Sequence, residues 1–481
     1  MNSGLSFLTD LPEPDVQWLL RNGEEQQVII NTVLLREGES ANALIFVLEG
    51  LVGIRASFRD SQVAALGPGE LIGEMGFIEQ RPASVSVLAI ENTLLLRVPY
   101  ERIQQHFEED TAFASRFHRA VALTVSRRLR ERERLFGRLL TEESEQSGTV
   151  EDTWSRLEPY IEQFKELLHE SDQKAIQNSG ELSAEYAQKI SSGFDAFVAL
   201  IDAELGDAAG VHETVREKLG ARVQREVLPY LLLTRSAERV YAKPRGYAGD
   251  FKSIDWIYEN EAGGTGRLGP ILDRCFLERH AAAAVRNRRG LLCRQIRKHA
   301  NQHPERPTRI TSMACGPARE IFDVIEELSD PTRIQATLID TDIQALEQVR
   351  DEIKQRGLEQ HVQAHHGNLI YLSMGRQKIE LPPQDLMYSV GLIDYFNDKL
   401  VTRLMNWGHS CLTPGGEMIL GNFHPKNPDK AMMDFVLDWR LIHRSEEDMN
   451  RLYAGSNFGH PCTSIEFEES GINLFAGCVR G

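Results

Sequence analysis

The segment RITSMACGPARE, residues 309–320, decides the fold of the C-terminal part of this 481-residue chain. Its first residues belong to the strand candidate TRITS, and the apolar periodicity of the following IFDVIEEL predicts a helix. Small residues around one glycine, Gly316, join the two. Because open α/β sheets bind ligands at the carboxyl ends of their strands, we expect backbone N–H groups of this turn to approach a ligand closely.

A carboxylate follows at the expected end of the next strand. The run TLIDTD, residues 337–342, supplies Asp340 about 20 residues after the turn, where an acid can hold ribose hydroxyls. The pattern alone leaves a second interpretation open. The turn could serve only to pack its helix, with Asp340 an ordinary strand-end aspartate.

Hydrophobic patterning predicts several domains. Short apolar runs between Leu34 and Val98, punctuated by turn residues, predict a small antiparallel barrel or sandwich. A long helical pattern follows, and from Thr308 onward strand-like and helical runs alternate, which predicts a mainly parallel sheet. The last residues, CTSIEFEESGINLFAGCVRG, predict two strands joined by a tight turn. The predicted organisation is a β-barrel with its helix (1–140), a linker (141–153), a mostly helical substrate-capping region (154–302) and an α/β domain (303–481).

Composition limits the function classes. Apolar residues make up 41% and charged residues 26% of the chain, with no run long enough to cross a bilayer and no basic-then-apolar secretory signal at the N-terminus. We expect a cytoplasmic protein. The net charge of -17 would repel a phosphate backbone, so no nucleic-acid partner is expected. Six cysteines lie scattered without a CxxC pair, and no metal site is predicted.

The stretch from Thr308 to Gly481 resembles the class I S-adenosylmethionine-dependent methyltransferases. The resemblance is carried by SMACGPARE (312–320) at the cofactor loop, LIDTDIQALEQV (338–349) at the ribose-binding acid, HHGNLIYL (365–372) at the adenine segment, DLMYSVGLIDYFND (385–398) at the fourth strand and LTPGGEMILGNF (412–423) at the fifth. It implies a Rossmann-like seven-stranded sheet whose last strand is antiparallel, with S-adenosyl-L-methionine as cofactor. It places cofactor contacts at Ala314, Gly316, Pro317, Glu320, Asp340, Thr341, Asn368, Leu369 and Ser389.

A narrower likeness concerns the methyl acceptor. The combination of YAKPRGYAGDF (241–251), AVRNRRGLL (284–292) and ACGPARE (314–320) is similar to the family named for biosynthesis of an extracellular factor, 3-hydroxypalmitic acid methyl ester. That likeness implies methylation of a fatty-acid carboxylate. Two alternatives stay open: methylation of a hydroxyl or amine of a secondary metabolite, and a regulatory protein that binds the cofactor without catalysis.

The acceptor class decides which side chains catalysis needs. A carboxylate is ionised at neutral pH and needs no base, but cationic or N–H donors must hold it, and Lys243, Arg245, Tyr247 and Arg286 are candidates. The arginines could instead only tie the helical region to the sheet. His424, after the fifth strand, would suit a hydroxyl or amine acceptor as general base, or could be a loop histidine without a role. The predicted catalytic residues are Tyr247, Arg245 and His424.

The front of the chain resembles the cyclic-nucleotide-binding domain, over about Leu34 to Phe107. Gly73, Glu74 and Gly76 match the turn that holds the ribose hydroxyl, but Ala83 stands where that family has its phosphate-binding arginine. Loss of one charge-assisted contact costs about 1.5–3 kcal/mol, so a cyclic nucleotide is not the leading expectation. Three interpretations compete: a scaffold that forms a homodimer through the long helix, a sensor of another ligand, and a cyclic-nucleotide sensor.

Overall fold

The chain divides into two units, residues 1–139 and 140–481. A computed structural model describes residues 7, 10–55, 62–67, 70–79, 81–137, 147–302, 304–328 and 330–481. The side chains of residues 13, 62–65, 127–137 and 147–149 are not described.

Two four-stranded antiparallel sheets form the first unit, in the orders β1-β8-β3-β6 and β2-β7-β4-β5. Its described elements are α1 (Glu13–Asn22), β1 (Glu24–Val28), β2 (Val33–Leu35), β3 (Ala43–Glu49), β4 (Val52–Arg55), β5 (Gln62–Leu66), β6 (Leu71–Ile72), α2 (Glu74–Glu79), β7 (Ser86–Ala89), β8 (Thr93–Pro99), α3 (Tyr100–Glu109) and α4 (Thr111–Gly137). Val47, Val52 and Leu95 are buried in the core between the sheets. The predicted barrel-like front followed by a long helix is confirmed.

The described residues of the second unit begin with seven α-helices. They are α5 (Ser147–Gln177), α6 (Ala184–Leu205), α7 (Glu213–Leu231), α8 (Ser236–Ala242), α9 (Phe251–Glu259), α10 (Gly269–Leu277) and α11 (His280–Gln302). Their apolar faces share one core that contains Phe194, Leu219 and Leu272. Residues 147–153, assigned to a linker because they are polar, form the first turns of α5, whereas residues 141–146 of that linker lie outside the described residues.

A seven-stranded sheet in the order β11-β10-β9-β12-β13-β15-β14 forms the rest of this unit. Its elements are β9 (Thr308–Met313), α12 (Arg319–Leu328), β10 (Ile334–Asp340), α13 (Ile343–Gln355), β11 (Val362–His366), α14 (Leu369–Ser373), β12 (Gln384–Val390), α15 (Asp398–Cys411), β13 (Leu412–Phe423), α16 (Lys430–Phe435), α17 (Glu446–Ala454), β14 (Ser464–Phe467) and β15 (Asn473–Val479). All pairs are parallel except those of β15, which runs antiparallel to β13 and β14. The predicted Rossmann-like sheet, with its antiparallel last strand, is confirmed.

The helical region and the sheet region share a hydrophobic core. Phe435 of α16 packs against the backbone of Gly220 in α7, where an added Cβ would lie 2.6 Å from its ring. Gln224 of the same helix donates from Nε2 to the carbonyl of Val436 at 2.7 Å, and both groups are buried. The predicted boundary at residues 302 and 303 therefore separates two sequence segments within one packed unit.

The order of strands locates the ligand-binding crevice. The chain leaves β9 toward β10 and β11 on one side and returns to β12 and β13 on the other, so the order reverses between β9 and β12. Open α/β sheets bind ligands at this reversal, outside the carboxyl ends of the strands. The turn after β9 and the turn after β12 are the two sides of the crevice.

Candidate active site

The turn after β9 has a glycine-type backbone although it contains one glycine. Ala314, Gly316 and Ala318 have φ angles of 55°, 52° and 48°, so every second residue lies in the left-handed region. That conformation costs an L-residue about 1–2 kcal/mol, and such strain persists where the surroundings hold it. Open space surrounds the position that a Cβ of Gly316 would take. The turn is therefore shaped like a glycine-rich loop and leaves room beside its central residue.

Asp340, at the end of β10, holds this turn in place. Its Oδ2 accepts a hydrogen bond from the Gly316 N–H at 2.8 Å, and its Oδ1 accepts one from the Asp342 N–H at 2.9 Å. Burial raises the pKa of this carboxyl, and the backbone hydrogen bonds oppose that rise. Because each carboxylate oxygen can accept more than one hydrogen bond, Asp340 can order the turn and also bind hydroxyl groups.

Asp342, two residues further, connects the helical region to the same site. Its carboxylate forms a bidentate ion pair with Arg245, whose Nε and Nη2 each lie 2.9 Å from one oxygen. Oδ1 also accepts the Gln344 N–H and so caps α13. The prediction did not include Asp342, although an aspartate just before a helical pattern is a typical N-cap signal. Through this pair, Arg245 is joined to the carboxyl edge of the sheet, where Asp340 holds the turn after β9.

Tyr247 lies in the same loop as Arg245 and is half-buried. Its ring centroid is 6.4 Å from that of Tyr395, with the planes at 75°. Burial raises the pKa of the Tyr247 phenol well above its ordinary value, and the charges of Asp340 and Asp342 add to the rise. The phenol therefore stays protonated at neutral pH beside the turn, where it can donate a hydrogen bond.

The residues predicted to contact the adenosine part of the cofactor lie after the carboxyl ends of β10 and β11. Asn368 caps α14, with its Oδ1 accepting the N–H groups of Ile370 and Tyr371. Leu369 is buried, and Thr341 is exposed at the end of β10. Ile343, which the prediction missed, is 52% exposed at the start of α13. An exposed branched apolar side chain directly after the Asp340–Asp342 segment offers a flat contact for an aromatic base.

Three other predicted cofactor residues serve the scaffold of the turn. Ser389 donates to the carbonyl of Met313 at 2.7 Å and so ties the end of β12 to the end of β9. Glu320 accepts a hydrogen bond from the Tyr388 hydroxyl at 2.7 Å, and burial raises the pKa of its carboxyl. Pro317 is buried within the turn. These contacts fix the positions of Ser389 and Glu320 beside the turn.

Two buried ionisable residues that the prediction missed lie at the turn after β12, Asp394 within the turn and Arg288 on α11 against it. Asp394 is 1% exposed, its Oδ1 accepts the Phe423 N–H at 2.7 Å, and burial raises its pKa to about 6. Arg288 of α11 is 6% exposed, and its guanidinium lies against Gly391, where an added Cβ would be 3.1 Å from Nη1. Gly391 also has a φ of 81°. A glycine is therefore required there on two grounds.

The helical pattern could have revealed Arg288. It lies three residues after Val285 and four before Leu292, and both are buried, so the three share one face of α11. Prediction instead selected Arg286, which points to another face and donates to the carbonyl of Leu277 at 2.6 Å. Lys243, another predicted candidate, forms an ion pair with Asp438 at 2.7 Å. Arg286 and Lys243 are therefore both engaged in contacts that support the scaffold.

His424 is buried at the end of β13, with both ring nitrogens engaged. Nδ1 accepts the Lys426 N–H at 3.2 Å, so Nε2 carries the proton and donates to Glu446 at 2.9 Å. Its ring also meets Phe467 edge-on. A general base needs a nitrogen lone pair that reaches its substrate, and this geometry favours the structural interpretation of His424.

Two family models match the chain. A cyclic nucleotide-binding domain model matches residues 26–110, and a model described as "Putative methyltransferase" matches residues 241–472. The chain thus joins a cyclic nucleotide-binding domain to a methyltransferase-type domain. The recognition of both from the sequence is confirmed, and methyltransferase activity in general is supported. The likeness to the extracellular-factor family stays a prediction.

Relatives of the front domain are found among curated proteins. The CRP-like protein Clp of Xanthomonas campestris pv. campestris (strain B100) is 31% identical over 129 residues, which are 26% of this chain and 56% of that protein. Clp of Xanthomonas oryzae pv. oryzae (strain PXO99A) is 30% identical over the same length. The chain therefore spans about half the length of the curated relatives it matches.

Solved structures show distant similarity. A possible exported protein from Bordetella parapertussis has 20% identity to this chain and a TM-score of 0.44. The match covers 61% of this chain and 96% of the Bordetella chain. The Xanthomonas campestris regulator CLP, described as c-di-GMP responsive, has 22% identity to this chain and a TM-score of 0.24. The match covers 34% of this chain and 72% of the CLP chain.

The described residues contain neither a metal-binding cluster nor a membrane-spanning helix. No group of three or more His, Cys, Asp or Glu side chains there could hold a metal ion. Across the same part of the chain, every helix is too short or too polar to span a membrane.

Proposed function

We propose that the second unit is an S-adenosyl-L-methionine-dependent methyltransferase that acts on a small-molecule acceptor, with the carboxylate of a fatty acid or related metabolite as the leading acceptor. The observation that carries this proposal is the turn after β9. Its alternating left-handed residues are held by the buried carboxylate of Asp340 at the reversal of strand order. Ligand binding at such a place follows from the fold, and the shape of the turn selects the kind of ligand.

The residues present fit this cofactor. Asp340 can accept ribose hydroxyls, Ile343 and Leu369 offer apolar contact to the base, and the open space at Gly316 admits close approach to the backbone. The cofactor has no pyrophosphate, so one close-approach glycine with small neighbours suffices. When bound, S-adenosylmethionine supplies a methyl group activated by its sulfonium.

The chain itself aligns the acceptor and keeps the site dry. Alignment and exclusion of water are together worth several kcal/mol, on the order of 7–11 at most. The Tyr247 phenol remains a hydrogen-bond donor at neutral pH, and Arg245 fixes Asp342 beside the turn. A carboxylate acceptor needs no proton removed, so these side chains suffice without a base.

We propose that a small, mainly apolar cavity, which also borders the Arg279–Asp429 ion pair, opens to admit an acyl chain. It has a volume of about 20 Å³ and is lined by residues that include Phe276, Met432, Met433 and Trp439. The Trp439 indole N–H donates to the Tyr395 hydroxyl at 2.9 Å, so the cavity adjoins the turn after β12. Methionine side chains are unbranched and adapt readily, and we propose that Met432 and Met433 shift to admit an acyl chain.

The alternative, a hydroxyl or amine acceptor, is favoured by Asp394. Its carboxyl is buried after β12 with a pKa of about 6, and a general base works best when its pKa is close to the working pH. Asp394 would then take over the role that the sequence suggested for His424.

For the first unit we propose a regulatory or assembly role in a cytoplasmic homodimer formed through α4. The buried Glu74 supports a ribose-binding turn, and the alanine at position 83 argues against simple cyclic nucleotides. Because the related CLP is described as c-di-GMP responsive, titration of the full chain should include that dinucleotide beside cyclic AMP and cyclic GMP.

The proposal is tested with the full chain and methyl-labelled cofactor. Calorimetry first measures S-adenosylmethionine binding to the wild type and to Asp340→Asn. A cell extract is then incubated with protein and labelled cofactor, and labelled products are identified by mass and by stability in base. A base-labile product shows an ester, and a base-stable one an ether or amine. Binding without acceptor-dependent S-adenosylhomocysteine would make the protein a cofactor-binding regulator, and no binding would refute the proposal.

A further inference from the structure

The guanidinium of Arg288 is a buried cation with little to neutralise it. The side chain is 6% exposed, and its Nε donates weakly to the Tyr258 hydroxyl at 3.4 Å. Among the described residues, no acceptor forms a hydrogen bond with Nη1 or Nη2, and no carboxylate lies within ion-pair distance. The carboxyl groups of Glu320 and Asp394 lie near enough for the positive charge of Arg288 to oppose the rise of their pKa values, but neither forms an ion pair with it. A buried charge without a partner is costly, so a site retains one where a ligand provides the partner.

The guanidinium of Arg288 lies at the crevice. The terminal nitrogens lie against Gly391, the first residue after β12, on the side of the strand-order reversal opposite Asp340. β10 and β12 are separated by β9, so their ends are two strand spacings apart, about 10 Å. A ligand held by Asp340 at one end can thus reach Arg288 at the other.

Neighbouring arginines show that this arrangement is particular to Arg288. Arg289 forms a bidentate ion pair with Asp323 on α12, both contacts at 2.6 Å, and Arg286 donates to a backbone carbonyl. All three belong to AVRNRRGLL, but Arg288 alone among them lies on the face of α11 that meets β12.

We propose that Arg288 binds a carboxylate of the reactants through its two terminal nitrogens. A planar guanidinium with two free N–H groups matches a carboxylate in bidentate geometry. The inference rests on the proposed function, and it names the group that anchors the reactants. Two reactants carry the required chemistry: the amino-acid end of the cofactor and an acidic acceptor.

The test measures affinities of the full chain by calorimetry. S-adenosylhomocysteine is compared with 5′-methylthioadenosine, which lacks the amino-acid carboxylate, and palmitate is compared with hexadecanol, which lacks the acyl carboxylate. The variants are Arg288→Met, Arg288→Lys, and Arg289→Met as a matched control from the same helix. Arg288→Met should weaken one carboxylate ligand about 10- to 100-fold and leave its carboxylate-free analogue unchanged, with Arg288→Lys intermediate and Arg289→Met like the wild type.

The pattern of losses identifies the source. A selective loss for S-adenosylhomocysteine assigns Arg288 to the cofactor, and a selective loss for palmitate assigns it to the acceptor. If Arg288→Met binds all four ligands as the wild type does, or weakens each analogue as much as its parent, the proposal is overturned. A wild type that binds neither S-adenosylhomocysteine nor palmitate refutes the proposed function and this inference with it.

Thermal unfolding separates a binding role from a structural one. Because the guanidinium is buried with one long hydrogen bond and no ion pair, ligand-free Arg288→Met should unfold at the same or a higher temperature than the wild type, while the rise in Tm on adding the carboxylate ligand shrinks. A lower Tm with an undiminished ligand-induced rise would show a structural role and contradict the proposal.

Discussion

Arg245 and Asp342 form a bidentate ion pair in which both N···O distances are 2.9 Å, and this pair fastens the loop after α8 to the start of α13. The Asp342 side chain is 4% exposed and that of Arg245 is 18% exposed. The pair lies directly beside the carboxylate that holds the turn after β9. It therefore couples the loop after α8 to the carboxyl edge of the sheet.

Removal of this ion pair should loosen the site. Arg245→Ala leaves Asp342 buried and unpaired, so we expect the free energy of unfolding to fall by about 1–3 kcal/mol, less than the 3–5 typical of fully buried pairs. Cofactor affinity should fall as well. Denaturant unfolding and calorimetry measure both effects, and a double-mutant cycle with Asp342→Ala isolates the pair. A coupling energy near zero would contradict this account.

Asp340→Asn tests the turn directly. Asparagine keeps one acceptor, but its amide nitrogen would face a backbone N–H of Gly316 or Asp342, so one hydrogen bond becomes a repulsion. We expect cofactor affinity to fall about 10- to 100-fold. Calorimetry with S-adenosylhomocysteine measures the loss. Asp330→Asn provides a control, because Asp330 caps a surface turn away from the crevice.

The left-handed residues of the turn yield opposite expectations for two substitutions. Ala314→Gly removes strain of about 1–2 kcal/mol at the expense of about 0.5–1 kcal/mol of backbone entropy, so stability should rise slightly or stay unchanged. Gly316→Ala introduces the same strain and adds a methyl group where the cofactor approaches. It should therefore lower both Tm and cofactor affinity. Equal behaviour of the two variants would refute the proposed role of the turn.

The buried carboxyl of Asp394 predicts a pH dependence of stability. Its pKa of about 6 lies above the ordinary value of 3.8, so the folded state binds the proton more tightly than the unfolded state. Its contribution to stability is present at low pH and is lost as the pH rises from about 4 to about 6, by about 3 kcal/mol. Asp394→Asn keeps an acceptor for Phe423 and removes this loss. Its stability relative to the wild type should therefore increase across that interval, as urea unfolding at several pH values will show.

His424→Ala distinguishes the acceptor classes. If His424 takes a proton from the acceptor, kcat should fall about 10²- to 10⁴-fold. The engaged ring nitrogens lead us to expect a fall of only a few-fold, together with reduced stability from the lost Glu446 contact. Asp394→Asn makes the complementary measurement, because a large loss of kcat there would favour a hydroxyl or amine acceptor.

Patterns local in sequence predicted the scaffold well. The alternation of strand and helix gave the correct sheet, and TRITS followed by small residues located the turn, because each signal resides in a few neighbouring residues. Arg288 was missed although the buried face of α11 marks it, and Asp394 was missed because its burial and its contact with Phe423 depend on β13, which lies about 30 residues further along the chain. Arg286 was predicted to hold the carboxylate instead, because composition alone does not tell which face of a helix meets the sheet.

The core shared by α7 and α16 sets the limits for dissecting this protein. A fragment that begins at residue 303 would present to solvent the ring of Phe435 and its apolar neighbours, now covered by Gly220 and the rest of α7. Such a fragment should precipitate. Exchange of the first unit between proteins should instead cut near residue 140, where the division between the two units falls.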